Sequence, residues 1–148
     1  MDTSIPFPQA DDFEKVIMII NISNPDNLKD TKYLMDYLGG ITDRQVAYYR
    51  SAAMYLGFIN KDKEFTSIGE GIRCLDTYSQ KAEFMYAITC DPIMGKAYYI
   101  GKLLGEPLSG DDIGDMIHQY YPQYDKPMLH RRGQTAASWI KWIDNQMG

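Results

Sequence analysis

Residues 40–75 read GITDRQVAYYRSAAMYLGFINKDKEFTSIGEGIRCL, and how this stretch is read decides the fold. Gly39-Gly40-Ile41 has the composition of a turn. Thr42 is a good N-cap, because its hydroxyl can accept from the free amides of a first helical turn. The helix it opens runs to about Leu56, with Val46, Tyr49, Ala53 and Leu56 at helical spacing on one apolar face. Gly57 supplies a stop. Beyond it, Phe58-Ile59 and Phe65-Thr66-Ser67-Ile68 flank the polar run Asn60-Lys61-Asp62-Lys63-Glu64, which predicts a β-hairpin. Helix followed by hairpin is the reading half of a winged helix-turn-helix.

Working outward, Pro6 and Pro8 keep residues 1–10 from being helical and predict a loose, flexible arm. Asp11 or Asp12 caps a first helix over about 11–22. The turn signal Asn24-Pro25-Asp26 leads to a second helix over Leu28–Leu38. After the hairpin, residues 69–89 read as a long helix with a break near Asp76-Thr77. Helices at about 92–104, 110–121 and 128–146 complete the chain, with Pro92 suited to a first turn. The expected fold is therefore mainly α. A winged helix-turn-helix with one small β-hairpin spans 11–75, and a helical second half spans 76–148. GDDIGDMIHQYYP and DKPMLHRRGQTAASWIKWI repeat the helix, turn, helix order there. Both a second helix-turn-helix and a bracing bundle fit that order.

The 148 residues carry a net charge of -5, which argues against a generic polyanion binder. The charge is uneven. Residues 1–41 hold seven acids against three bases, whereas 126–141 hold Lys126, Arg131, Arg132 and Lys141 with no acid. Cys74 and Cys90 lack metal-ligand spacing and read as two buried thiols in a reducing cytosol. The N-terminus lacks the features of a signal peptide, and no apolar run approaches the roughly 20 residues that span a bilayer. A cytoplasmic protein without membrane contact is expected.

The candidate contacts are to double-stranded DNA. Thr42, Arg44, Gln45, Tyr48 and Arg50 lie on the reading helix, where Arg can pair with guanine and Gln with adenine. Lys61 and Lys63 form the wing tip. His130, Arg131, Arg132, Gln134 and Thr135 form the densest polar-basic cluster. Phosphate contacts suit the arginines and lysines. Enzymatic motifs are absent: there is no phosphate-binding GxxxxGK[ST] loop, no GxSxG elbow, and no metal spacing linking His118 or His130 to the cysteines. No cofactor or metal is expected, and no catalysis by this chain alone unless it is a fragment of a larger nuclease.

The run Thr42-Asp43-Arg44-Gln45-Val46-Ala47-Tyr48-Tyr49, then Tyr55-Leu56-Gly57-Phe58-Ile59, Phe65-Thr66 and Gly69, resembles a prokaryotic winged-helix module that recurs beside restriction-modification enzymes. His130-Arg131-Arg132-Gly133-Gln134-Thr135 with Trp139-Ile140-Lys141-Trp142-Ile143 is similar to the end of that module. The resemblance covers most of residues 11–143. It implies a DNA-recognition part of a restriction or defence system, with a nuclease or methyltransferase subunit, or a fused nuclease domain, as partner. This chain lacks a nuclease portion. A protein-interaction winged helix serving as subunit or scaffold, and a regulator of a defence operon, are the alternatives.

Overall fold

A computed structural model describes residues 2–148. It contains eight α-helices: α1 (Phe13–Ile20), α2 (Thr31–Tyr37), α3 (Asp43–Tyr55), α4 (Ser67–Arg73), α5 (Thr77–Cys90), α6 (Pro92–Leu104), α7 (Gly110–Tyr120) and α8 (Lys126–Met147). A 3-10 turn, Pro25–Lys29, precedes α2. There is no strand among the described residues, so the winged helix with a β-hairpin is overturned.

The physical reason lies in Asn60 and Thr66. Asn60 accepts from the amides of Asp62 and Glu64 through its side chain, and its own amide reaches the Glu64 carbonyl. This closes a tight loop in which Lys63 takes a positive φ of 61°. One antiparallel bridge, Ile59 to Phe65, is all that remains of the pairing. Thr66 then accepts from the Gly69 amide and caps α4, so Ser67 and Ile68 enter a helix instead of a second strand. Gly69 fits there because a Cβ would come within 2.1 Å of the Phe58 carbonyl oxygen.

Side-chain caps set most of the other boundaries. Asp12, Asp30, Asp76, Asp91 and Asp125 each accept from an amide in the first turn of α1, α2, α5, α6 and α8. A cap of this kind stabilises a helix by about 0.5–2 kcal/mol. Part of the chain's acidic excess is thus consumed at helix starts, where the dipole favours it. Asp76 divides the long helix expected over 69–89 into α4 and α5.

The core is one aromatic and aliphatic cluster. Phe13 of α1 meets Phe84 of α5 at 5.8 Å, Trp139 of α8 at 5.0 Å and Trp142 at 4.6 Å between ring centres. Both halves of the sequence therefore contribute to it. α7 and α8 lie antiparallel: a Cβ on Gly133 would come within 2.0 Å of the Gly110 carbonyl oxygen, and one on Gly114 within 3.0 Å of the Leu129 carbonyl oxygen. Within the second half, α7 and α8 are thus a close-packed helix pair. The expected loose arm is also corrected: Phe7 and Ala10 are fully buried. An extended segment has no helical partners for its backbone groups, and side chains supply them here. Tyr121 donates to the Ile5 carbonyl, Trp139 Nε1 to the Ala10 carbonyl and Ser138 to the Asp11 carbonyl. The hydroxyls of Tyr124 and Tyr49 accept from the amides of Phe7 and Asp12.

Cys74 and Cys90 are unpaired and exposed, not buried as expected. Among the described residues, no helix is long and apolar enough to cross a membrane.

Candidate nucleic-acid interface

The first turn of α3 is open to solvent: Thr42, Asp43, Arg44 and Gln45 are all exposed. Thr42 and Gln45 form a reciprocal capping box. Thr42 Oγ1 accepts from the Gln45 amide, and Gln45 Oε1 accepts from the Thr42 amide. The side-chain oxygen of Gln45 is thereby engaged with its own helix. Arg44 Nε donates to the Tyr48 hydroxyl at 2.6 Å, one turn along the same face.

The tertiary fold adds Arg131. Its guanidinium lies 5.7 Å from the centre of the Tyr48 ring, and that of Arg44 lies 5.6 Å from the same point. Arg131 Nε also donates to Gln9 Oε1 at 2.8 Å. Two cations 87 positions apart in sequence (131 minus 44) thus meet on one tyrosine beside the N-terminal segment. Among the described residues, neither forms an ion pair with a carboxylate. The nearest acid in sequence, Asp43, accepts from the Arg44 backbone amide.

The remaining candidates lie elsewhere or face inward. Arg50 is buried, with Nη1 donating to the Leu28 carbonyl and Nη2 to Thr31 Oγ1, and burial lowers its pKa. It ties α3 to the 3-10 turn and α2. Thr135 is fully buried and donates to Asp11. Arg132 is 8% exposed, and its guanidinium lies 4.3 Å from the centre of the Tyr124 ring. His130 is exposed and contacts Asp111 through Nδ1 at 2.8 Å. Gln134 is exposed, with its amide packed against Gly110. Lys61 and Lys63 line a shallow depression with Lys29, Asp62 and Glu64, and Lys29 pairs with Glu64 at 3.8 Å. Acids alternate with lysines there, and no hydrogen bond or stacking contact joins that loop to Tyr48 among the described residues.

Gln9 and Tyr124 were not sequence candidates, although both contact the arginines. Their positions depend on residues more than a hundred places away, which local spacing does not encode. Nothing in the site has the makeup of a metal centre: no group of three or more His, Cys, Asp or Glu side chains comes together among the described residues.

No curated protein and no solved structure matches the chain. Residues 15–148 match the family described as "Domain of unknown function (DUF7226)", and the chain belongs to that family.

Proposed function

We propose that this chain is a non-catalytic binding module for double-stranded DNA in a restriction or defence system, and that it grips the duplex through Arg44, Tyr48 and Arg131. The supporting observation is the convergence of two guanidiniums without carboxylate partners on one half-buried tyrosine. Arginine is suited to phosphate and guanine contacts, and a tyrosine hydroxyl can reach phosphate. The Tyr48 hydroxyl accepts from Arg44, and its own proton remains available to a ligand. An anionic protein that concentrates cations in this way restricts polyanion binding to one place, which suits specific over indiscriminate contact. The link to restriction or defence comes from the sequence resemblance alone. The reading does not require a wing, and a separate nuclease or methyltransferase subunit would supply any chemistry.

The test is binding of a random-sequence duplex library to the full chain at low and physiological salt. Wild type is expected to enrich particular sequences and to weaken as salt rises. Arg44→Ala and Arg131→Ala are each expected to weaken binding about 5- to 20-fold, in line with about 1–2 kcal/mol for each arginine. Absence of any duplex affinity at low salt, or binding unchanged in both variants, would sink the reading.

A further inference from the structure

Arg132 Nε is the one buried side-chain donor or acceptor without a partner among the described residues. The residue is 8% exposed. Its guanidinium stacks on Tyr124, whose ring is also stacked on Tyr121 at 4.8 Å with a 6° angle between planes. The Tyr124 ring is thus in contact with both Tyr121 and Arg132. Among the described residues only Nη1 is bonded, to the Met128 carbonyl at 3.3 Å. Nη2 has no partner there and is not fully buried, so it is the reachable edge. No carboxylate pairs with this guanidinium among the described residues.

A cation so far removed from water is costly unless something neutralises it. The contact with Tyr124 supplies no counter-charge to it. The Tyr124 hydroxyl accepts from the Phe7 amide, and its proton has no acceptor among the described residues. Arg132 Nη2 and the Tyr124 hydroxyl are therefore two donors, on side chains in contact, without an acceptor among the described residues. A tetrahedral oxyanion matches that set.

We propose that Arg132 and Tyr124 hold a single phosphate group, through Nη2 and the phenolic proton. The inference deepens the duplex reading and rests on it for the phosphate's source, a DNA backbone phosphodiester. Tyr124 bonds Phe7 and Arg131 bonds Gln9, so the site and the Tyr48 patch adjoin the same N-terminal segment.

The experiment uses the full chain at low ionic strength. Inorganic phosphate is titrated while the Arg132 Nε–Hε resonance is followed, with chloride at matched ionic strength as control. A saturable shift with phosphate alone is expected, weakened at least about 10-fold in Tyr124→Phe, as loss of one hydrogen bond to a charged group would produce. Duplex binding is measured in parallel. Arg132→Lys is expected to weaken it about 5- to 10-fold for every sequence alike, because a phosphate contact carries no base information. No phosphate response, with duplex affinity unchanged in Arg132→Lys and Tyr124→Phe, overturns the site. The duplex reading would survive that result if Arg44→Ala still binds weakly. A saturable phosphate response in a chain that binds no duplex keeps the site and removes the duplex as its source. If Arg132→Lys does not fold, Tyr124→Phe decides.

Discussion

The hydroxyl of Tyr55 donates to a carboxylate oxygen of Asp91 across 2.6 Å, joining the end of α3 to the start of α6. The other Asp91 oxygen accepts from the amides of Ile93 and Met94 at 3.0 and 2.8 Å. One carboxylate thus caps a helix and satisfies a half-buried phenol. Asp91→Ala removes the cap and strands the Tyr55 hydroxyl, costs of about 0.5–2 and 1–3 kcal/mol. A total loss of about 2–4 kcal/mol is expected from these two effects, read by denaturant unfolding. A loss below about 0.5 kcal/mol would mean that water replaces both partners.

The same residue gives a signed pH dependence. Burial raises the Asp91 pKa above the ordinary 3.8, against the opposing pull of the Met94 amide, the Tyr55 hydroxyl and the Ile93 amide. A carboxyl raised on folding binds its proton more tightly in the folded state. Its contribution to stability is therefore full below the ordinary carboxylate value and is lost as pH rises through the raised one. Asn can still cap α6 through its one oxygen, with its amide nitrogen donating to the Tyr55 hydroxyl, and it does not titrate. The difference in Tm between wild type and Asp91→Asn should move against wild type as pH climbs above 3.8 and then level off. A difference that stays flat, or moves in favour of wild type, would contradict the burial argument.

Glycines separate packing from propensity. A Cβ on Gly133 would meet the Gly110 carbonyl oxygen at 2.0 Å, where α7 and α8 cross, and backbone cannot yield as a side-chain tip can. Gly133→Ala is expected to cost at least about 1–3 kcal/mol through overpacking. Gly71 sits inside α4 with nothing within 4 Å of its would-be Cβ. Gly71→Ala should stabilise by about 0.5–1 kcal/mol through helix propensity. Thermal melts of the two variants should shift in opposite directions.

Local chemistry made much of the helical frame legible. Thr42, Asp91-Pro92 and Ser109 mark true helix starts, and Asp76 marks a true break. The hairpin failed because Phe65-Thr66-Ser67-Ile68 is too short for its two apolar ends to establish a period. Thr66 suits a strand and a cap equally, and the contact of Gly69 with Phe58 favours the cap. The arm failed for a different reason. Its backbone is satisfied by Tyr121, Tyr124 and Trp139, all distant in sequence. Within the candidate site, Arg50 and Arg132 carried an overlooked signal. Arg50 lies on the stripe of Val46 and Ala53, and Arg132 on that of Ala136, Trp139 and Ile143, so spacing alone turns both inward. The pairing of Arg44 with Tyr48 is readable as an i, i+4 contact, whereas the arrival of Arg131 is purely tertiary.

That contrast gives the sharpest test of the duplex reading, because Arg50 and Arg131 are both candidates by sequence. Arg50→Ala leaves the Leu28 carbonyl and Thr31 without their donors in a buried place. It should cost about 2–4 kcal/mol of stability, since a buried acceptor loses a charged partner. Because Arg50 reaches no ligand, its folded fraction should bind duplex with unchanged salt dependence. Arg131 is exposed and makes one hydrogen bond, to Gln9. Arg131→Ala should change stability by no more than about 0.5–1 kcal/mol. It should also reduce the slope of log affinity against log salt by about 0.9, the signature of one phosphate that the protein no longer neutralises. Equal slopes for wild type and Arg131→Ala would remove Arg131 from the interface. A reduced slope in Arg50→Ala would mean that α3 meets the duplex through its other face, which the packing against Leu28 and Thr31 forbids.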